Sequence, residues 1–567
     1  MDALQRYQAW LQDPLIDSAT HEELRKLADN QGEIEDRFFR WLEFGTGGLR
    51  GTVGAGSNRM NVYTVRLVTQ ALANNLRSEG KAAGGVVIAH DSRHMSREFT
   101  LAAAGVLVGN GIPVYVFPDL APTPLLSYAV RYYQASAGIV ITASHNPPEY
   151  NGYKVYNERG NQMLTEEASK ISTQMGQLGL ESVQVHRQPE DSPLWHWLDE
   201  EVIQSYYQRV LEISPKVENT ESLRVLYTPL HGTGGRFVPE ILEKAGFSQV
   251  ATVAEQMIPD RNFPTVSYPN PEDPAAFQLA FEYAKKAPFD LILATDPDAD
   301  RMGCAVWHEG QWVLLNGNQV GVLLTDFLLG QLGAEQLKRS VVVKTIVTTE
   351  MVRPIVDKYG GEVRDTLTGF KYIGTLMDVL PQEGKEFIFG FEESYGYLAG
   401  TAVRDKDAVL ASLLVAQMAA HYQKQGLTLI DRLAELMKEH GYYLQDLVSY
   451  SFSTSREAEK SREFIKELQT TPITSIGQEK VAKVLDFQAS RELDLQTQEA
   501  KEIHLPKEGV LQWITEQGSK VTLRPSGTEP KMKLYLEVCA SSEEQAKARI
   551  KQLKQAFDEM VRQGLEA

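Results

Sequence analysis

Residues 137–148 read Ala137-Gly138-Ile139-Val140-Ile141-Thr142-Ala143-Ser144-His145-Asn146-Pro147-Pro148. The stretch opens as a short apolar run rich in β-branched residues, the pattern of a buried strand. It breaks off into small and polar residues closed by two prolines, which extend neither strand nor helix. A serine at such a break stands at the end of a strand, where open α/β sheets hold their ligands. Ser144 is therefore the candidate nucleophile and phosphate carrier. Taken alone, Ser-His-Asn-Pro is also ordinary turn chemistry, so the rest of the chain must decide.

Working outward, Gly85 to Asp91 and Ile112 to Phe117 are further strand-like runs. The helical segment between them carries Ala102, Ala103, Val106 and Leu107, a face fit to pack on a sheet. Strands alternating with helices predict a mostly parallel α/β sheet. The arrangement recurs. Leu223 to Tyr227 leads into Thr228-Pro229-Leu230-His231-Gly232-Thr233-Gly234-Gly235, and Asp290 to Thr295 into Asp296-Pro297-Asp298-Ala299-Asp300-Arg301. A third round runs from Val341 through Thr366-Leu367-Thr368-Gly369-Phe370-Lys371 to Phe387-Ile388-Phe389-Gly390-Phe391-Glu392-Glu393-Ser394-Tyr395-Gly396. Residues 3–43 have helical spacing and are expected to pack on the first domain. After about residue 445, polar helical segments alternate with strands, the last being 532–538. Ser541-Ser542-Glu543-Glu544 reads as a capping box opening a C-terminal helix.

The expected fold is α/β, with three related α/β domains (1–212, 213–311, 312–445) of mixed, mostly parallel sheets. A C-terminal α+β domain (446–567) completes it, the four surrounding one central cleft. With 567 residues the chain is too long for one core. Its net charge of -18 argues against a nucleic-acid or membrane-surface partner, which would need a basic face. Two cysteines, Cys304 and Cys539, in no CxxC pair suggest neither disulfide framework nor zinc. The N-terminal residues lack signal-peptide features, so the expected location is cytoplasmic.

Three loops carry chemistry besides Ser144. Asp296, Asp298 and Asp300 alternate over five residues, and like charges this close call for a cation. Hard oxygen donors suit Mg²⁺. A calcium EF-hand loop would need Gly and Glu where Arg301 and Trp307 stand. An aspartyl-phosphatase loop usually has Thr or Val where Asp300 stands. Glu392 and Ser394, flanked by Gly390 and Gly396, can bond vicinal sugar hydroxyls. Arg524, Ser526, Gly527, Thr528 and Lys531 form an anion trap: a guanidinium fork, hydroxyl donors and accessible backbone amides. The glycine-rich run 44–52 with Arg50 at its heart is a further anion-binding candidate.

A serine, a divalent-metal loop, a sugar loop and a remote phosphate loop, in this order, resemble the α-D-phosphohexomutase superfamily. The matching segments are 142–147, 296–301, 390–396 and 524–528. Residues 366–371 and the Pro297/Ala299 metal loop look like the branch containing Firmicute-type phosphoglucomutases, animal phosphopentomutase and glucose-1,6-bisphosphate synthase. Many superfamily members have glycines at the positions of Pro297 and Ala299. The resemblance implies a phosphorylated Ser144 that joins Asp296, Asp298 and Asp300 around Mg²⁺. Arg301 would neutralise the transferring phosphoryl group, Arg50 would assist, and His145 would act on or order the loop. Lys154 would be the general acid/base, with nearby cations lowering its pKa. Thr368, Gly369, Lys371, Glu392 and Ser394 would contact the sugar, and the 524–531 loop the non-reacting phosphate. The implied reaction interconverts glucose 1-phosphate and glucose 6-phosphate through glucose 1,6-bisphosphate, which also serves as activator. Phosphomannomutase, phosphopentomutase and bisphosphate synthase are the alternatives; a sugar phosphatase or a silent sugar-phosphate-binding regulator are more distant ones. The expected partner is a small phosphosugar, with the chain a monomer or weak homo-oligomer.

Overall fold

The computed structural model describes residues 2–45, 47–452, 455–471, 473–525 and 531–566. They form two compact units, one of Met1–Val341 with Phe370–Ile430, the other of Val342–Gly369 with Asp431–Ala567. The expected third α/β domain thus contributes residues to both units.

In the first unit, the strand Ala137–Ile141 lies between Val86–His90, its parallel neighbour, and Tyr150–Asn157, antiparallel to it. Both Val86–His90 and Ala137–Ile141 are buried throughout, as their apolar runs predict. Val114–Val116 flanks Val86–His90 on the other side, also parallel. The second sheet repeats this order. Val225–Thr228 lies between parallel Val250–Thr252 and parallel Leu291–Thr295, and antiparallel Met302–His308 follows beyond. In each sheet the chain steps to one side of its first parallel strand and then returns to the other. That reversal opens a crevice at the carboxyl ends of the central strands, the usual ligand position in open α/β sheets. The loops bearing Ser144 and Asp296–Asp300 both leave these crevices.

Three N-terminal helices, Ala3–Gln12, Ser18–Arg25 and Gln31–Phe38, pack on the first sheet's domain as expected. Asp2, Asp17 and Asn30 cap them by accepting from the amides of Gln5, Thr20 and Glu33. Trp10 anchors the cluster, edge-on to Phe38 and Tyr63 at 5.6 Å each.

One buried carboxyl gives this unit a distinct pH response. Asp407 caps the helix Ala408–Lys424 through the Leu410 amide (2.9 Å) and accepts from the Tyr206 hydroxyl at 2.9 Å. Burial nevertheless pushes its pKa up to about 6. A folded pKa above the unfolded one makes the folded chain the better proton binder. This contribution to stability is full below pH 4 and is lost as pH rises to about 6, by about 3 kcal/mol. Asp407→Asn keeps the cap acceptor without the ionisation. We expect the variant to gain stability relative to wild type between pH 4.5 and 7.5 in thermal melts. A constant difference across that range would refute the assignment.

The second unit centres on an antiparallel sheet in the order Tyr442–Ser451, Lys531–Ala540, Lys520–Pro525, Leu511–Thr515, Glu479–Asp486, Arg491–Asp494, Ala500–Glu502. Trp513 packs against Phe557 of the C-terminal helix Glu543–Glu566. That helix opens one residue later than the expected capping box. Ser542 accepts from the Gln545 amide at 3.2 Å, so Gln545 stands where Glu544 was expected. Buried charges bind the segment 342–369 to the sheet. Glu350 accepts from Lys344 at 2.8 Å and from Lys520 at 2.7 Å.

Candidate active site

Ser144 sits at the first crevice with φ +52°, a left-handed conformation that costs a non-glycine residue energy. Its amide donates to Thr142 Oγ1 (2.8 Å) and its hydroxyl to Asp296 Oδ2 (2.6 Å). The two sheets therefore bring together residues 152 positions apart. His145 Nδ1 lies 3.3 Å from Ser144 Oγ. Burial, then Arg301 and Arg50, push the His145 pKa well below its ordinary value, so the ring is neutral near pH 7.

The metal loop folds on itself. Asp296 Oδ1 accepts from the amides of Asp300 (3.1 Å) and Arg301 (3.0 Å), and Ala299 takes φ +50°. A β-carbon at position 232 would fall 2.4 Å from Pro297 Cα, so Gly232 lets the neighbouring loop press against this one. Asp296, Asp298 and Asp300 are almost wholly buried, and each offers an oxygen within 4.8 Å of the others. Asp298 Oδ1 and Asp300 Oδ1 are buried without a hydrogen-bond partner among the described residues. Unsatisfied carboxylate oxygens converging at this spacing fit a hard divalent cation. Burial, followed by Asp298 and Asp300, raises the Asp296 pKa well above its ordinary range. Burial also works against ionised Asp300, but Lys154, Lys406 and Arg301 hold its pKa far below that range.

Lys154, on the strand Tyr150–Asn157, donates to Asp298 Oδ2 (2.7 Å) and Asp300 Oδ2 (3.2 Å). The expectation that cations lower its pKa fails. Burial pulls the pKa down, but Asp298 and Asp300 outweigh burial and Lys406, and the net shift is upward. Arg50, exposed on the antiparallel strand Gly48–Thr52, reaches Asn146 Oδ1 at 3.2 Å. Arg301 pairs with Glu272 at 2.8 Å. Sequence reasoning missed Glu272, Thr123 (2.7 Å from Asp298 Oδ2) and Lys406 (3.2 Å from Asp300 Oδ2). The signal for Lys406 was present, since Arg404-Asp405-Lys406-Asp407 is a charged run between an apolar strand and an apolar helix.

Of the sugar-contact candidates, Glu392 and Ser394 lie on the turn between the paired strands Glu386–Glu392 and Gly396–Ala399. The Met302 amide donates to the Tyr395 carbonyl (3.1 Å) and Arg301 bridges to Gly396, so this turn is fastened to the metal loop. A β-carbon on Gly396 would meet Lys406 Cδ at 2.3 Å. Lys371 is buried, with Nζ 3.4 Å from Thr165 Oγ1 and over the Tyr372 ring. Thr368 and Gly369 belong to the second unit, where Gly369 has φ +120°. Arg524, in the same unit, donates to Glu508 Oε1 at 3.2 Å, a partner sequence reasoning missed. Lys531 is exposed at the start of the next strand. Ser526, Gly527 and Thr528 lie outside the described residues.

Comparison with known proteins adds an independent line. The chain matches the phosphoglucomutase/phosphomannomutase α/β/α domain I over residues 42–180, domain II over 204–310 and domain III over 316–440. It matches the C-terminal domain of the same family over 477–556. It is 38% identical to a phosphoglucomutase of Staphylococcus epidermidis, covering 87% of this chain and 90% of that one. It is 34% identical to a phosphoglucomutase of Staphylococcus aureus, covering 92% and 94%. A solved phosphoglucomutase/phosphomannomutase family protein from Burkholderia thailandensis superposes with TM-score 0.68 at 18% identity over 92% and 97% of the two chains, a likeness of fold.

Proposed function

The chain belongs to the phosphoglucomutase/phosphomannomutase family, and from that premise we propose that it interconverts glucose 1-phosphate and glucose 6-phosphate through a phosphorylated Ser144. It is an enzyme of the isomerase class, an intramolecular phosphotransferase. The observation that carries the proposed mechanism is the 2.6 Å contact between the Ser144 hydroxyl and Asp296, beside a carboxylate cluster with unsatisfied oxygens. Mg²⁺ held by Asp296, Asp298, Asp300 and the Ser144 phosphate would supply charge neutralisation to the phosphoryl group, where transfer chemistry needs it most.

The chain's own residues supply the rest. Phosphoserine 144 donates its phosphoryl group to the free hydroxyl of the sugar monophosphate. The upward-shifted Lys154 is an ammonium near pH 7, fit to donate a proton to the departing Ser144 oxygen and to recover the one that the attacking sugar hydroxyl gives up. The glucose 1,6-bisphosphate so formed turns end for end, and its other phosphate returns to Ser144. In that return step the Ser144 hydroxyl loses its proton and the departing sugar oxygen gains one, with Lys154 again relaying it, while the neutral His145 ring, 3.3 Å from Ser144 Oγ, orders the loop. Arg301 and Arg50 add positive charge to the transfer site. Glu392 and Ser394 bond sugar hydroxyls, with Thr368, Gly369 and Lys371 reading configuration. Arg524, Ser526, Gly527, Thr528 and Lys531 hold the non-reacting phosphate and read phosphate rather than sugar, so both orientations are accepted.

The test is a side-by-side kcat/KM comparison with glucose, mannose and ribose 1-phosphates, the bisphosphate activator supplied. Preference for glucose is expected; preference for mannose or ribose would reassign the substrate. Release of inorganic phosphate as fast as isomerisation would make the enzyme a phosphatase instead. Arg524→Ala should raise KM at least about tenfold, the scale of a lost charge-assisted hydrogen bond, while changing kcat less. An unchanged KM would count against the clamp.

A further inference from the structure

The residues after the strand Val86–His90 form a bracket that sequence reasoning passed over. Arg93 is 3% exposed, and its guanidinium is spent on the backbone of the serine loop. Nη1 donates to the carbonyls of Pro147 (2.7 Å) and Tyr150 (3.1 Å). Nη2 donates to the Ser144 carbonyl at 2.6 Å and to the Asn146 carbonyl. Nε faces Asp91 Oδ2 at 3.4 Å. Asp91 is itself tied down, its Oδ1 accepting from the Arg93 amide and the Ser96 hydroxyl, each at 2.9 Å.

The other side of the guanidinium belongs to the second sheet's loops. Arg93 lies over the Phe263 ring, 4.9 Å from its centroid. Phe263 is buried with φ +47°, an outlying conformation for so bulky a residue. Neighbours of Arg93 make parallel ties. Ser92 donates to the His231 carbonyl (2.9 Å), and His94 Nε2 lies 2.7 Å from Asn262 Oδ1. The His231 loop continues to Thr233, whose amide donates to the Pro297 carbonyl of the metal loop at 2.8 Å. Residues 91–94 therefore hold the serine loop with one hand and the supports of the aspartate loop with the other. Two residues with positive φ, Ser144 and Phe263, both touch one arginine, the first at the guanidinium edge and the second at its face.

The geometry points to Arg93 as a positioning residue for the phosphoryl transfer, one that holds the Ser144 loop against the second-sheet loops and so sets the reach of Ser144 Oγ to the aspartates. A planar fork with five donors suits four converging carbonyls; a lysine ammonium has three donors on one point and cannot span them. Every nitrogen of the Arg93 guanidinium faces Asp91 or a loop carbonyl, so its role is geometric. Strain at Ser144 persists only while its surroundings over-determine it, and Arg93 supplies much of that constraint.

This inference rests on the mutase reading. The experiment compares wild type, Ser144→Ala and Arg93→Lys in one mutase assay, with the rate of Ser144 phosphorylation by glucose 1,6-bisphosphate as second readout. A displacement of about 1 Å at a reacting group costs on the order of 100-fold, so Arg93→Lys should lower kcat by about that factor while KM stays within about threefold. Ser144 phosphorylation should slow in the same ratio. An unchanged kcat in folded Arg93→Lys would overturn the assignment. So would a loss that disappears when the variant is assayed well below its melting midpoint, because stability would then be the whole effect. Should Arg93→Lys not fold, Phe263→Leu removes the stacked ring and leaves every Arg93 hydrogen bond in place. A lower kcat at constant KM is expected there too, and a wild-type kcat would overturn the bracket. An inactive wild type would strike at the mutase reading; an active wild type with unaffected variants would strike at Arg93 alone.

Discussion

Ser144→Ala is expected to abolish isomerisation, lowering kcat on the order of 10⁶-fold, the scale on which removal of a covalent nucleophile acts. The fold should survive. The lost group is a single hydroxyl whose bonds are to Asp296 Oδ2 and the His145 ring. Leaving Asp296 Oδ2 without that donor costs about 1–2 kcal/mol. Alanine is no worse than serine at φ +52°, so backbone strain is unchanged. The check has three parts: turnover, incorporation of labelled phosphate from glucose 1,6-bisphosphate, and a thermal melt. Lost turnover and label with a near-native melt supports the assignment. Wild-type-level mutase activity in this variant would remove Ser144 from the mechanism.

The second large effect concerns the aspartate loop. Dialysis against a chelator is expected to bring turnover to background, and Mg²⁺ to restore it. Asp296, Asp298 and Asp300 are too deeply buried for water to screen their repulsion. Lys154, Lys406 and Arg301 offset part of it, which is why Asp300 remains ionised. The ammonium groups of Lys154 and Lys406 pair with Asp298 Oδ2 and Asp300 Oδ2, and Asp298 Oδ1 and Asp300 Oδ1 have no hydrogen-bond partner among the described residues. The chelated protein should therefore stay folded, and its melting midpoint should rise with the logarithm of added Mg²⁺, as for any ligand that binds only the folded state. Asp298→Asn should lower Mg²⁺ affinity while leaving the Thr123 and Lys154 donors in place. Full turnover in excess chelator would refute a metal role for the cluster.

How far these features were legible in the chain depends on the range of the interaction. Ala137–Ile141 and Leu291–Thr295 were readable because an apolar run bounded by polar turn residues has few other uses. The Ser144 and Asp296–Asp300 loops were readable because their chemistry is local: a hydroxyl between two turn signals, and three carboxylates within five residues. Arg93, Glu272 and Glu508 were not. Each is an ordinary charged residue in its own sequence window and gains a role only from partners elsewhere in the chain. Lys406 stands in a conspicuous charged run, but its partner Asp300 lies more than a hundred residues away. The wrong direction for the Lys154 pKa has the same root. Its nearest charges in space are Asp298 and Asp300 rather than the cations placed around it from sequence alone.

The sequence by itself determined the alternation of strands and helices and the loops that carry chemistry, because those follow from residue types at short spacing; the class of reaction followed from the resemblance of those loops, in their order, to the α-D-phosphohexomutase superfamily. Only the tertiary structure decided that the serine and the aspartates share one site 2.6 Å apart, since that contact joins two sheets and no local pattern encodes it. It also decided the directions in which the Asp296, Asp300, His145 and Lys154 pKa values are pushed, which depend on burial and on through-space charge. The same holds for the bracket at Arg93, where a single side chain satisfies four carbonyls that the linear sequence leaves without an assigned donor.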